Sequence, residues 1–215
     1  MKEFLRQNYL FLSLYLLFLI VGGIVLFKYE KGQDIIYFNA LHNSTLNYVF
    51  LYLTKLAELP SIILIFLITL FYSYGKGLIL LANNLTVFGV VQLLKKGVFA
   101  AEIRPSVFFE NKIQLDFIQG LDILRHNSFP SGHTAGAFAL FFMLSIMIKD
   151  KRWSVLFFFL ALLIGISRVY LLQHFFRDVY AGSIVAVVVS SFFWLTFAQS
   201  GFYQNLWWKD KSLFK

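Results

Sequence analysis

Polar and apolar positions segregate along this chain into long blocks instead of alternating. From about Tyr9 to Phe27 no charged residue interrupts the apolar run, and Lys2 and Arg6 precede it. Roughly 20 such residues are what a helix needs to cross a bilayer. Comparable blocks run from about Ser61 to Tyr74, Leu78 to Leu94, His133 to Ile148, Trp153 to Leu171 and Phe175 to Ala198, which predicts six spans. The first block is too long for the apolar core of a signal peptide and no small-residue cleavage site follows it, so it reads as a retained span. Gly22 and Gly23 within it allow a neighbouring helix to approach closely. The second span is short unless it borrows the end of the segment before it. That segment, Phe38 to Leu59, has apolar residues at helical spacing mixed with Asn39, His42, Asn43, Asn47, Lys55 and Glu58. It predicts an amphipathic helix at the interface, with His42 solvated. Gly75-Lys76-Gly77 and Lys149–Arg152 read as turns, and Lys95 to Ser128 as a long polar loop between spans three and four.

Composition sharpens this picture. Hydrophobic residues make up 59% of the 215 positions, with 27 Phe and only 3 Pro, more than a water-soluble domain of this size carries. The expected fold is therefore all-α, one integral membrane domain over residues 1–215, built as a six-helix bundle. The absence of cysteine excludes disulfides and thiolate metal sites. A formal charge of +8 would suit nucleic acid in a soluble chain. In a membrane protein it reflects basic cytoplasmic loops and anionic lipid heads, so no nucleic-acid partner is expected. With six spans both termini share one side with Lys76, the Lys149–Arg152 turn and Lys209, Lys211 and Lys215. These short basic segments assign that side to the cytoplasm. Trp207, Trp208 and the closing lysines read as an interfacial anchor.

Two stretches carry chemistry. In Ser128-Phe129-Pro130-Ser131-Gly132-His133-Thr134, a polar loop gives way to an apolar helix. Pro130 is tolerated in a first helical turn, Ser128 and Ser131 can cap free N–H groups, and Gly132 lets a ligand reach the backbone. A helix N-terminus of this kind suits a phosphate, and His133 beside it can move protons. In Ser167-Arg168-Val-Tyr-Leu-Leu-Gln-His174-Phe-Phe-Arg177-Asp178, charged groups sit at the end of an apolar span, where they are costly unless used. His174 and Asp178, four apart, share a helix face, so the carboxylate can hold one ring nitrogen and free the other for attack. From His133 the chain crosses the membrane and returns to Arg168 in two legs of about 24 Å each, which brings both histidines to one membrane face. Lys96 and Arg104 leave span three on the same face. The cations and the helix end make a phosphoryl site, one histidine the nucleophile and the other the general acid. No carboxylate cluster is spaced to hold Mg²⁺.

Taken together, Lys96…Arg104-Pro105, Pro130-Ser131-Gly132-His133 and Ser167-Arg168…His174…Asp178 resemble the three-part signature of the type-2 phosphatidic acid phosphatase family, whose superfamily includes the vanadium haloperoxidases. The resemblance runs from about Lys95 to Asp178. Its first part departs from the family, with seven residues instead of six between Lys96 and Arg104. The resemblance implies that His174 forms a phosphohistidine, Asp178 orients it, and His133 protonates the leaving group and later activates water. Lys96, Arg104, Arg168, Ser131 and the Gly132 backbone would bind phosphate oxygens, with no metal and no cofactor. Lys95 would snorkel towards lipid heads. The expected activity is hydrolysis of a phospholipid, polyprenyl pyrophosphate or lipid A type phosphate. The site would face the periplasm or exterior of a bacterial inner membrane, with cytoplasmic termini. A phosphotransferase, or a non-catalytic lipid-binding or transport protein, are the competing readings. Arg125 and His126 read as solvated loop residues, Arg177 as snorkelling or reaching substrate, and Phe108 and Phe109 as interface anchors.

Overall fold

A computed structural model describes residues 2–213; Lys215, expected among the cytoplasmic lysines, lies outside them. Helices α1 (Lys2–Gln7), α2 (Tyr9–Lys28), α3 (Gln33–Ala40), α4 (Ser44–Lys55), α5 (Leu59–Tyr72) and α6 (Tyr74–Leu93) lead into the polar connection, which holds the short α7 (Pro105–Phe108). Then come α8 (Gly132–Met147), α9 (Trp153–Tyr170), α10 (Phe176–Phe193) and α11 (Gly201–Gln204). Wider π-helical turns extend α6 through Leu94–Val98 and α10 through Trp194–Ala198. Among the described residues there is no strand, only an isolated bridge between Ile103 and His126.

Among the described residues four helices are long and apolar enough to cross a membrane, and α4 with α5 passes the same test as a pair, bent by 54°. The bend has a local cause. Pro60 sits in the first turn of α5, where its missing N–H is harmless, but its ring would clash with the carbonyl of Leu56 in a continuous helix. The segment predicted as one amphipathic helix over Phe38–Leu59 instead holds the end of α3 and all of α4, separated at Leu41–Asn43, with Asn43 capping α4 by accepting from the Leu46 N–H at 3.0 Å. The second span borrows from it, as α4 leans on α9.

Helix α8 has only 16 residues, about 24 Å. It is apolar on all sides because it is enclosed by α6, α9 and α10. Phe138, Leu140, Phe142 and Met143 along it are fully buried. Helix α2 instead exposes Leu16, Leu17, Ile20, Val21 and Ile24 outward, the face a lipid bilayer would cover. Cohesion in such a medium comes from close packing more than from solvent exclusion. At Gly22 an added Cβ would lie 2.9 Å from the Tyr180 ring, and at Gly182 only 2.6 Å from the Ser131 carbonyl oxygen. These two glycines let α2 and the start of α8 close on α10.

The ends of the bundle differ. The C-terminal ends of α6 and α9, the break between α4 and α5, and the N-terminal ends of α8 and α10 meet at one end. The other holds the α5–α6 turn at Ser73, where Gly75 and Ser73 donate to the Lys209 carbonyl at 2.8 and 2.7 Å. Gly75 and Gly77 lie inside the first turn of α6 and do not form the turn themselves.

Candidate active site

Helix α9 ends at Tyr170, and the chain reverses in five residues, with Leu172 in the left-handed region at φ 55°. The Arg168 carbonyl accepts from the N–H groups of Gln173 and His174 at 3.0 and 3.1 Å, which fixes the His174 backbone. Three residues into α10, Asp178 is wholly buried. Its Oδ2 accepts from the Phe175 N–H at 3.1 Å and from the Ser128 hydroxyl, and lies 3.3 Å from His174 Nδ1. A carboxylate there places the imidazole proton on Nδ1 and leaves a lone pair on Nε2. That Nε2 is 3.2 Å from Arg104 Nη1. Burial first, and then the cations Arg104, Arg168 and Lys95, hold the His174 imidazole well below its usual pKa, so it is neutral near pH 7.

Three cations surround this nitrogen. Arg104 is buried; it donates to the carbonyls of Gln173 at 2.8 Å and His126 at 3.0 Å. Burial lowers its pKa to about 10, so the guanidinium stays charged. Arg168 is buried too; it donates to Thr54 Oγ1 at 2.7 Å, and its Nε has no partner. The third cation is Lys95, whose Nζ donates to the Asn127 carbonyl at 2.9 Å. Lys96, the expected phosphate ligand, is exposed. The cause is the π-helical turn, closed by the Phe99 N–H on the Leu94 carbonyl at 2.8 Å. An i→i+5 turn accommodates an extra residue, and this one puts Lys95 on the inner face.

A cavity of about 670 Å³ runs from this cluster between α5, α6 and α8. Lys95, Arg104, Gly132, His133, Arg168 and His174 line its polar end; Ile62, Phe66, Leu81, Leu85 and Val91 line the rest. Ser131 is not in the cavity. It caps α8, accepting from the Thr134 N–H at 3.4 Å and hydroxyl at 2.9 Å, while its own N–H donates to the Asp178 carbonyl at 2.9 Å. Pro130 precedes the helix instead of occupying its first turn.

Several supporting roles escaped the sequence reading. Ser128, read there as a cap for free N–H groups, instead donates its hydroxyl to the Asp178 carboxylate, beside the Phe175 N–H. Thr54 steadies Arg168 from a segment expected at the interface. Glu102 pairs with Arg177, whose Nε lies 3.5 Å from Asp178 Oδ1. Neither Thr54 nor Glu102 belongs to a periodic or motif signal; Glu102 next to the Arg104-Pro105 pair was the nearest hint. His42 is not solvated: its ring is buried and bonds the Tyr170 carbonyl at 2.8 Å. Phe109 is a core residue with Ile35, Leu172 and Phe175, not an anchor. Arg125 pairs with Glu110 on the surface, and His126 is exposed.

A buried neutral imidazole, three cations and a helix N-terminus at the head of an apolar cavity can seat a tetrahedral oxyanion on a hydrocarbon chain. Among the described residues no cluster of three or more His, Cys, Asp or Glu could hold a metal.

Comparison with known proteins is consistent with that site. A family model described as PAP2 superfamily matches residues 76–202. "Probable lipid phosphate phosphatase 4" of Arabidopsis thaliana is 40% identical over 95 residues, covering 38% of this chain and 31% of that protein. The match thus spans under a third of the plant protein. "Undecaprenyl-diphosphatase BcrC" of Bacillus subtilis (strain 168) is 25% identical over 153 residues, 71% of this chain and 75% of that protein. Among solved structures, Aquifex aeolicus LpxE superposes with a TM-score of 0.66 at 24% identity, over 79% of this chain and 98% of that one. The transmembrane PAP2 type phosphatidylglycerolphosphate phosphatase from Bacillus subtilis gives 0.51 at 27%, over 85% and 94%.

Proposed function

Given that the chain belongs to the PAP2 superfamily, we propose that this integral membrane protein hydrolyses a lipid phosphate or pyrophosphate through a phosphohistidine on His174. The observation that carries the reading is the placement of His174 Nε2 among three buried cations at the head of an apolar-walled cavity. A relative's name, undecaprenyl-diphosphatase, and a neighbour's, phosphatidylglycerolphosphate phosphatase, favour a lipid-linked phosphoryl group.

Each part of the site has a role in that reaction. In the resting state one Arg104 N–H points at the Nε2 lone pair. An incoming phosphate oxygen takes over that donor and frees the lone pair. Nε2 then attacks phosphorus, the bond to the leaving oxygen breaks, and His133 delivers a proton to that oxygen. Arg104, Arg168, Lys95 and the Gly132 backbone stabilise the charge on the equatorial oxygens. Asp178 stabilises the imidazolium as it forms. Water, deprotonated by His133, then attacks phosphorus; the phosphorus–nitrogen bond breaks, its electron pair returns to Nε2, and phosphate is released. The cations supply the charge stabilisation without a metal, and the site faces away from the cytoplasm.

The test is phosphate release by the purified protein in detergent from phosphatidic acid, phosphatidylglycerol phosphate and undecaprenyl pyrophosphate, with and without EDTA. Release from at least one, unchanged by EDTA and blocked by vanadate, is expected. A protein inert towards all three, or active only with Mg²⁺, overturns the reading.

A further inference from the structure

Helix α10 begins without a cap from its own N-cap side chain. Its N-cap residue is Phe175, which has no side-chain acceptor, and the first N–H groups of a helix have no partner within it. Two carboxylates fill the gap. Asp178, from the same turn, takes the Phe175 N–H at 3.1 Å. The Phe176 N–H goes to a residue 142 positions away: Asp34 Oδ2, at 2.5 Å. Asp34 is itself fixed, because its Oδ1 accepts from the Gly32 N–H at 3.2 Å, and Gly32 holds a left-handed φ of 100° that glycine adopts without strain.

Phe176 is two residues after His174. The imidazole's backbone is thus pinned on one side by the Arg168 carbonyl and on the other by Asp34. The first turn of α10 also carries Asp178, so its geometry sets the 3.3 Å approach of Asp178 Oδ2 to His174 Nδ1. We propose that Asp34, from α3, is a positioning residue for the His174–Asp178 pair, holding the first turn of α10 in register. It acts through the backbone and lies outside all three motif segments. Its carboxylate also meets the positive end of α10. A small cavity of about 280 Å³ adjoins it, bordered by Lys31, Phe175, Phe176 and Arg177. Removing the carboxylate would open that space to water at the Phe176 N–H and loosen the turn.

The kinetic part of the test rests on the lipid-phosphatase reading; a spectroscopic part does not. Three variants are compared with wild type. Asp34→Ala removes both acceptors. Asp34→Ser can still take the Gly32 N–H but is too short to reach α10. Asp34→Asn keeps one acceptor for Phe176. Since Lys95 and Arg168 are held by other elements and Arg104 keeps the His126 carbonyl, Ala and Ser should lower kcat roughly 10- to 100-fold while KM stays within about two-fold. Asn should stay within about three-fold of wild type. Vanadate inhibition should weaken with kcat/KM, while inhibition by inorganic phosphate stays unchanged. In protein labelled with ¹⁵N-histidine, the His174 ring signals, assigned by their loss in His174→Ala, should shift in Ala and Ser but hardly in Asn. A purely structural residue would change thermal stability and leave these signals and the kcat of folded protein alone. Ala and Ser variants with wild-type kcat and unmoved His174 signals overturn the proposal, as does a loss confined to KM. If wild type turns over no lipid phosphate, the functional reading fails and the ring signals alone decide.

Discussion

The lone pair of His174 and the ammonium of Lys95 share a wall of one cavity, and each is there for a backbone reason. His174 lies two residues after the left-handed Leu172 and is pinned through its N–H. Lys95 is turned inward by the π-helical turn of Leu94–Val98. The three motif segments made His133, His174, Asp178, Arg104 and Arg168 legible in the sequence, since ionisable groups at the ends of apolar spans are conspicuous. Lys95 was not legible, because side-chain spacing counted at 3.6 residues per turn misses a turn closed from i to i+5. A buried charge-assisted hydrogen bond is worth about 1.5–3 kcal/mol. Lys95→Ala should therefore lower kcat/KM roughly 10-fold or more. Lys96→Ala, at an exposed position, should change it about two-fold or less. Matched kinetics on the two variants check this: a severe Lys96 defect beside a mild Lys95 one would mean that the cavity lysine is not the phosphate ligand.

Among the elements, α10 bears most on the site, and its fit against α8 depends on Gly182. A Cβ there would sit 2.6 Å from the Ser131 carbonyl oxygen, a backbone atom that cannot swing away. Gly182→Ala should force the two helices apart where the Ser131 N–H meets the Asp178 carbonyl, at a cost of about 1–3 kcal/mol. Activity should fall roughly 10-fold or more, because Asp178 moves with α10. Thermal unfolding in detergent together with kcat measures both; an alanine variant matching wild type in each would refute the tight contact. Helix existence was plain from the apolar blocks. The bend between α4 and α5 was less so, although Pro60 marked it. A proline in a first turn is compatible with a straight start, and only the clash with Leu56 shows that the preceding helix must stop. Thr54, near the end of α4, accepts from Arg168 just before that bend.

For the whole molecule, the bundle gathers the charged ends of five helical segments at one end and leaves the other to short turns and the tail around Lys209 and Lys211. That division was legible from the block pattern and the basic loops. The interior of the polar connection was not, because Arg104 is held by the carbonyls of His126 and Gln173, partners that side-chain patterns do not reveal. If the site end faces outward, Gln114→Cys should react with an impermeant maleimide in intact cells and Asp150→Cys should not. The native chain has no cysteine to interfere, and the reverse labelling would invert the topology. Rapid quenching of the enzyme with a ³²P-labelled lipid phosphate decides whether His174 takes the phosphoryl group from a lipid. The labelled protein should keep its label in alkali, lose it in acid, carry it on residue 174, and be absent in His174→Ala. Turnover without such an intermediate, or the same label on the His174→Ala protein, would contradict it.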